Sequence, residues 1–377
     1  MILEQREFEL GDLLSYEQPT PYIVQSTGYN EEYKIPVLTA GKTFILGYTN
    51  ESTGIYDKLP VIIFDDFTTS SQYVNFRFKV KSSAMKILTP TLELVLPKFI
   101  YLKIQMLDFD HGTHKRYWIQ EYSKIKVKIP SIPKQKLIIS RIEELFSELD
   151  KGVETLETIK QQLTVYRQAV LKEAFAQIKI KKSISEMSCL VTSGSRGWAK
   201  YYSSNGSLFI RIGNLTRHTI DIILDDVQYV DLPEKAEGIR SRLIPNDVLV
   251  SITADLGSIG LVPEKVKEAY INQHIAMIRF KNPVQGPLMA WYLRSEEGQK
   301  DLLKNKRGGG KLGLGLDDIR NSKVPYISNN EADLILEKIE SQLSLCESIQ
   351  QTVDTALKQA VSIRKSILKQ AFEGRVL

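Results

Sequence analysis

Hydrophobic residues recur at alternating spacings of three and four in two long stretches of the chain. An apolar seam with a period of 3.5 residues that continues for more than four heptads is typical of a coiled coil. Each stretch covers about 40 residues, or about 60 Å as an α-helix. The seam positions are Ile138, Ile142, Leu145, Leu149, Leu156, Ile159, Leu163, Ile335, Ile339, Ile349, Val353, Ile363 and Ile367.

The two stretches are copies of one another. Residues 166–175 return as residues 363–372, an offset of 197 positions. A helix of about 60 Å is longer than a domain of about 130 residues can cover. We therefore predict that the two helices pair with each other in antiparallel orientation. The alternative is that each helix packs only on its own domain.

Proline marks the start of both helices, because it cannot continue a helix from upstream. Pro130 and Pro133 precede the first helix and Pro325 precedes the second, where a Ser or Asn can cap the first turn. Gly374 follows the second helix, as a stop signal often does. The predicted domains are a globule over 1–133, a spacer helix over 134–182, a second globule over 183–330 and a second spacer helix over 331–377.

Both globules mix strand and helix signals. Short apolar runs such as residues 60–64, 247–252 and 276–280 favour strands, whereas the window 288–303 favours a helix. The predicted fold class is α/β (α+β), with two globular domains, a pair of long antiparallel coiled-coil helices and a pseudo-twofold internal repeat.

Composition removes several classes of protein. The chain has 377 residues, of which 42% are hydrophobic and 25% charged, values ordinary for globular domains. No apolar run reaches the roughly 18 residues of a membrane span, and the first residues do not resemble a signal peptide. Cys189, Cys346 and four scattered histidines cannot form a disulfide framework or a structural zinc site. We expect a cytoplasmic protein that binds no metal.

Signatures of catalysis are missing from the sequence. No Pro-Pro pair is present, as the motif of an amino-methyltransferase requires, and residues 307–313 lack the spacing and hydroxyl of a Walker A loop. The pair Asp65-Asp66 could hold a metal in a nuclease, but no second acidic and basic partner is convincingly placed. We predict instead that one of the two carboxylates accepts backbone hydrogen bonds in a turn.

Basic, amide and aromatic residues gather near turns of both globules. The net charge is only +5 and no segment is a polybasic arm, so DNA binding would depend on local placement of charge. Alternation over residues 73–81 places Arg77, Lys79 and Lys81 on one face of a strand and Phe76 and Phe78 on the other. Further candidates for DNA contact in this globule are Lys42, Gln72, Lys115 and Arg116.

In the second globule, a Gly/Ser loop at residues 192–198 can approach phosphates with its backbone N–H groups. It carries the candidates Ser195, Arg196 and Trp198. Arg, Asn and Gln are the types of residue that read base edges in the major groove. The remaining candidates are Arg211, Asn214, Asn272, Gln273, Arg307 and Lys311. The alternative for each is an ordinary solvated side chain.

The helix ends at residues 167–175 and 364–374 and the proline-rich start at 129–135 resemble the conserved regions of the DNA-specificity (S) subunits of type I restriction–modification systems. Residues 193–198 followed by 208–215 resemble one target-recognition domain of that family, and residues 35–41 with 61–68 resemble the other. One departure is Asn329-Asn330-Glu331, which replaces the usual acid-Gln pair and leaves the cap of the second helix in question.

The resemblance implies a non-catalytic subunit of a host-defence system. Each target-recognition domain would read one half of a bipartite site in double-stranded DNA. Two adenine-methylating M subunits would bind the chain and carry the S-adenosylmethionine, so the chain itself would hold no cofactor. Restriction (R) subunits, where present, would add ATP-driven translocation and cleavage. Two other hypotheses stay open: a coiled-coil scaffold that binds proteins without DNA specificity, and a self-contained nuclease that uses Asp66.

Overall fold

The computed structural model describes residues 6–41, 43–107, 116–233, 240–307 and 312–375. The chain divides into two compact units. Unit 1 comprises Met1–Leu156 and Thr355–Leu377, and unit 2 comprises Glu157–Asp354. Each unit therefore contains one globule together with a part of each long helix.

Unit 1 contains a four-stranded antiparallel sheet in the order β2-β8-β5-β6 and a three-stranded sheet in the order β4-β3-β7, in which β3 and β7 are parallel. Strands β1 and β9 form a separate antiparallel pair. The elements are β1 (Arg6–Glu9), α1 (Leu10–Leu13), β2 (Leu14–Glu17), β3 (Ile35–Leu38), β4 (Ile45–Thr49), β5 (Val61–Asp65), β6 (Ser71–Val74), β7 (Lys79–Val80), β8 (Met85–Pro90), α2 (Pro97–Gln105), α3 (Tyr117–Gln120), β9 (Lys126–Ile129) and α4 (Ile132–Phe175).

Strand β5 is central to unit 1 because it is covered on both faces. Ile62 and Phe64 pack into a cluster with α2 and the long helices, whereas Val61 and Ile63 pack into a second cluster with residues of the three-stranded sheet. Alternate side chains of a strand point to opposite faces, so an unbroken apolar run is expected for a strand buried on both sides.

Unit 2 repeats this plan. Its sheets have the orders β11-β18-β15-β16 and β12-β14-β13-β17, with β13 and β17 parallel, and β10 pairs with β19. The elements are β10 (Lys181–Ser183), α5 (Ile184–Met187), β11 (Ser188–Ser193), β12 (Tyr202–Ser203), β13 (Ser207–Ile210), β14 (Gln228–Val230), β15 (Val248–Ser251), β16 (Ile259–Leu261), β17 (Ala269–Ile271), β18 (Ile275–Phe280), α6 (Gly286–Arg294), α7 (Glu296–Leu302), α8 (Leu316–Asn321), β19 (Lys323–Pro325) and α9 (Asn329–Phe372).

The long helices α4 and α9 run antiparallel within each unit. In unit 1, Arg364 of α9 forms an ion pair with Asp150 of α4. In unit 2, Lys160 Nζ lies 2.8 Å from Asp354 Oδ1, and Lys338 Nζ lies 2.7 Å from Glu173 Oε1. The predicted fold class and the antiparallel pairing are confirmed. Within the described part of the chain, no helix is both long and apolar enough to cross a membrane.

The apolar seam is narrower than the heptad pattern predicts. Ile349 and Ile363 are 38% and 47% exposed, so their assignment to the seam is corrected. One position per heptad of α9 is fully covered, because a second helix shields only a narrow stripe of the first. Of the predicted seam, Ile138, Ile142, Leu163, Ile339 and Val353 are buried, and Leu145, Leu149, Leu156, Ile159, Ile335 and Ile367 are partly buried.

The first long helix ends earlier than the predicted boundary at residue 182. Helix α4 ends at Phe175, and Lys181 and Lys182, which the prediction assigns to the first spacer helix, belong to β10. At the start of α9, Ser328 Oγ accepts from Glu331 N (3.4 Å), and Glu331 Oε2 accepts from Ser328 N (3.0 Å). The predicted Ser cap is confirmed, and the departure at Glu331 completes a reciprocal capping pair.

Candidate nucleic-acid interface

Four loops of unit 2 come together on one face, which we call the loop face (residues 193–197, 211–214, 252–254 and 272–274). Gly194 N donates to Asn272 O at 3.1 Å, and Thr253 Oγ1 lies 2.7 Å from His274 Nδ1. Thr253 also forms a bridge with Gly313, which in turn pairs with Arg307. The sheets of unit 2 thus gather residues that are more than 100 positions apart in the sequence.

The loop face contains two clefts that share His274 as a common wall. One cleft has a volume of about 470 Å³, and its lining includes Arg211, Asn214, Asp226, Asn272 and His274. The other has a volume of about 770 Å³ and is lined by Ser193, Gly194, Ser195, Arg196, Arg240, Thr253, Gln273 and His274. Amide, hydroxyl, imidazole and guanidinium groups, which are the groups that contact phosphates and bases, therefore line these surfaces.

The arginines in and next to the loop face differ in how they are paired. Arg211 Nη2 lies 2.9 Å from Asp226 Oδ2, and Arg307 Nη2 lies 3.1 Å from Asp318 Oδ1. Arg196 and Arg240 are exposed, and neither makes an ion pair among the described residues. An exposed guanidinium without a carboxylate partner is available for a phosphate oxygen.

Hydrogen bonds to Asp255 hold the loop that carries Thr253. Arg217 Nε donates to Asp255 Oδ1 at 2.8 Å, and Ser258 Oγ donates to Asp255 Oδ2 at 2.7 Å. These hydrogen bonds, with the charge of Arg217, lower the pKa of Asp255. The carboxylate thus stays ionised and keeps the loop in place at neutral pH.

Two predicted DNA contacts in unit 2 have internal roles instead. Trp198 is 5% exposed, and its ring packs on Phe209 (4.7 Å between centroids) and Tyr270 (5.6 Å). Asn214 is 4% exposed; its Oδ1 accepts from Arg211 N, and its Nδ2 donates to Ile223 O and to Asp226 O. We correct both assignments, because a core ring and a fully bonded amide have nothing left to offer a base.

Lys79 in unit 1 is a further correction. It is 2% exposed, pairs with Glu51 Oε2 at 2.8 Å and donates to Thr53 O at 2.7 Å. Burial raises the pKa of Glu51, but the hydrogen bonds from Lys79 and from the N–H groups of Ser26 and Gln25 outweigh it and lower that pKa overall. Lys79 therefore stabilises the fold and is not free to bind DNA.

The other candidates in unit 1 do not converge. Arg77 and Lys81 are exposed, but one precedes and the other follows the two-residue strand β7. Gln72 is partly buried on β6 of the other sheet, and Arg116 is exposed just before α3. Three further predicted contacts, Lys42, Lys115 and Lys311, lie outside the described residues.

Sequence reasoning missed Thr253, Arg240 and His274. Each is a single polar residue with no motif around it. The available signal was position alone: His274 directly follows the candidates Asn272 and Gln273, just before β18.

The acidic pair in unit 1 is structural. Asp65 Oδ1 accepts from the N–H groups of Phe67 (2.9 Å) and Thr68 (2.8 Å), which confirms the predicted turn. Asp66 is 4% exposed, accepts from Trp118 N at 2.8 Å and pairs with Lys86. Both carboxylates are thus engaged by the protein itself. No cluster of His, Cys, Asp and Glu suited to a metal ion occurs among the residues with described positions.

The sequence is similar to restriction-enzyme subunits, although no protein-family model matches it. It is 34% identical over 361 residues to the type I restriction enzyme EcoR124I/EcoR124II specificity subunit of Escherichia coli, covering 90% of this chain and 87% of the relative. It is 25% identical over 281 residues to the EcoBI specificity subunit of Escherichia coli, covering 66% and 58%.

Solved structures share the fold. A chain from a study of complex assembly and conformational transition of the type I R-M system matches with a TM-score of 0.74 at 14% identity, over 100% of both chains. The HsdS subunit from Thermoanaerobacter tengcongensis matches with a TM-score of 0.51 at 13% identity, over 98% of this chain and 97% of the other.

Proposed function

Because this chain belongs to the type I restriction enzyme specificity subunits, we propose that it reads a bipartite DNA site, one half on each unit, and that the loop face of unit 2 is one of its two reading surfaces. The chain is the non-catalytic DNA-recognition subunit of its complex. Its partners are double-stranded DNA, two methyltransferase subunits and, where the system has them, restriction subunits.

The convergence of four loops on one face of unit 2 supports this proposal most directly. Arg196 and Arg240 flank the same cleft as the amide of Gln273. Contacts from guanidinium groups to phosphates position a protein on DNA, whereas amides read base edges. The cleft thus combines both kinds of group within one surface. Since unit 1 has a four-stranded sheet of the same order and a second sheet with one parallel strand pair, as in unit 2, we assign the second half-site to it.

Methyl transfer in this complex belongs to the partner subunits. We place the S-adenosylmethionine on the methyltransferase subunits, so that this chain contributes sequence recognition and no cofactor. We also assign the complex to the cytoplasm, where its DNA substrate and S-adenosylmethionine occur together.

DNA binding by the complex with its methyltransferase subunits tests the proposal. We expect Arg196→Ala and Arg240→Ala each to weaken binding about tenfold and to reduce the slope of log K against log salt by about 1. Lys265→Ala is the matched control, because Lys265 is exposed in the same unit but lies beyond the opposite end of β17. Equal affinities for all four proteins across the salt range would contradict the assignment of the loop face.

A further inference from the structure

We propose that Gln273 reads an adenine in the half-site bound by unit 2, and that His274 is the positioning residue that fixes the carboxamide of Gln273. The inference rests on the proposed function of the loop face and adds to it the kind of base recognised. It rests on three side chains from two loops, those of Gln273, His274 and Thr253, which are hydrogen-bonded in series.

The hydrogen bonds of this series determine which ring nitrogen of His274 carries the proton. Gln273 Nε2 lies 2.7 Å from His274 Nε2, and His274 Nδ1 lies 2.7 Å from Thr253 Oγ1. An amide nitrogen can only donate, so the imidazole Nε2 accepts. The proton of the neutral ring then resides on Nδ1, which donates to the Thr253 hydroxyl. The ring is held from both sides, with Gln273 at one end.

The backbone around the ring is fixed as well. His274 N donates to Asn272 Oδ1 at 3.0 Å, and His274 O accepts from Ile252 N at 3.0 Å. The imidazole therefore stands on the end of a sheet, between β15 and β18. A side chain ordered by such a support loses less conformational entropy when it binds DNA.

The hydrogen-bonding groups that remain free on Gln273 match those of one base. Its amide gives one N–H to His274 and makes no other hydrogen bond within the described part of the chain. One N–H donor and the Oε1 acceptor are left for the cleft. Adenine presents one acceptor, N7, and one donor, N6–H₂, in the major groove, and a Gln carboxamide pairs with both. Guanine offers two acceptors at the same edge and would leave Oε1 without a donor.

The setting of Gln273 suits a base contact. Its cleft is about 770 Å³ in volume and is also lined by Arg196 and Arg240. Guanidinium groups on phosphates fix the register of a duplex, and a rigid amide beside them then meets the same base pair each time. His274 itself is committed to Thr253 and Gln273 and acts through the latter.

Mapping of methylated bases in DNA from cells that express the chain with its methyltransferase subunits tests this inference. We expect a bipartite motif for the wild type. In Gln273→Ala, the preference for one A·T pair in one half of the motif should fall by about tenfold or more, with the other half unchanged. Gln273→Glu should lose the same preference, because a carboxylate has no N–H to give to N7.

Two substitutions of His274 separate positioning from general structure. In His274→Gln, the new amide reaches the place of Nε2 and can accept from Gln273. In His274→Asn, it reaches only the place of Nδ1 and retains Thr253. We expect His274→Gln to keep the A·T preference within about threefold and His274→Asn to lose it as fully as Gln273→Ala. Melting temperature and binding to DNA without the motif should be unchanged in both.

The outcomes distinguish the two levels of proposal. A wild-type protein without a bipartite motif would overturn the proposed function. A bipartite motif that Gln273→Ala and Gln273→Glu leave unchanged at every position would overturn the reading of adenine alone. If His274→Asn kept the preference, or His274→Gln lost it, the role of His274 as a positioning residue would be refuted.

Discussion

In units 1 and 2 a glutamine joins a long helix to the start of a short helix, but the glutamine comes from the long helix in one unit and from the residue before the short helix in the other. In unit 1 the glutamine belongs to α4: Gln135 is fully buried, accepts from Leu96 N at 2.8 Å and donates to Leu94 O and Pro130 O. The repeat places the small Ala332 at the equivalent position of α9, and the glutamine of unit 2 precedes α6 instead.

In unit 2, Gln285 reaches towards the start of α9. Its Nε2 donates to Ile327 O at 3.1 Å and to Asn329 Oδ1 at 3.3 Å. In both units a glutamine thus bridges a short helix and a long helix by hydrogen bonds. It lies on the long helix α4 in unit 1 and just before the short helix α6 in unit 2. A repeated fold thus keeps the need to satisfy buried backbone groups, but not the residue that does so.

The C-terminal ends of the long helices show the same freedom. Phe372 of α9 packs edge-on against Phe99 of α2 (5.3 Å), with Lys103 Nζ 4.5 Å from its ring. Phe175 of α4 packs against Tyr292 of α6 (5.1 Å). Burial lowers the pKa of Lys103. In unit 2, Lys181 Nζ lies 5.1 Å from the centre of the Tyr292 ring. The aromatic contact and a lysine beside it are thus retained, but the lysine comes from α2 in unit 1 and from β10 in unit 2.

Truncation of these phenylalanines should destabilise the two units most strongly and by different amounts. Phe175 is 4% exposed, so Phe175→Ala should lower the free energy of unfolding by about 3–4 kcal/mol, and the half-buried Phe372→Ala by about 2 kcal/mol. Val165→Ala and Val361→Ala are the controls, because these side chains are 71% and 64% exposed on the same helices. Urea unfolding, with hydrogen exchange to assign the loss to a unit, gives the measurement. Equal losses of unfolding free energy for the two variants would contradict the expected difference between Phe175 and Phe372.

Removal of the glutamines has a smaller expected effect. Gln135→Ala leaves Leu96 N and two carbonyl groups without their partner in a buried site, at a cost of about 2 kcal/mol. Gln285→Ala should cost about 1 kcal/mol, since Asn329 Oδ1 retains the bond from Asn282 Nδ2. The same unfolding experiment compares the two. A greater loss for Gln285→Ala would show that the fastening of unit 2 is the stronger.

Acid should weaken unit 1 through Glu51, the smallest of the three effects. The folded-state pKa of Glu51 is lowered, so its contribution is complete above the ordinary carboxyl pKa and is lost as pH falls through the folded-state value. Lys79→Met removes one cause of that lowered pKa. We expect its stability to fall less steeply than that of the wild type between pH 6 and pH values below the ordinary carboxyl pKa, measured by urea unfolding. Parallel curves would contradict the role of the Glu51–Lys79 pair.

The sequence predicts the repeat, the long helices and the buried strands because each is written in local periodicity. It does not predict the structural roles of Lys79 and Asn214, because only the folded sheet brings their partners Glu51 and Ile223 next to them. The alternation argument fails at Lys79, because β7 is only two residues long and the flanking residues leave the strand. The loop face is only partly predictable. Asn272 and Gln273 can be found by residue type, whereas the role of His274 depends on its hydrogen bond with Thr253, which only the folded sheet brings close.

The packing of α9 has a consequence for how the protein is made. Leu368 and Ala371 of α9 are buried in the same cluster as Leu10 and Leu13, and the whole of unit 2 lies between them in the sequence. On the ribosome, the core of unit 1 therefore cannot close until unit 2 and α9 have been synthesised. A premature stop codon in α9 would damage the core of a globule that was translated before unit 2.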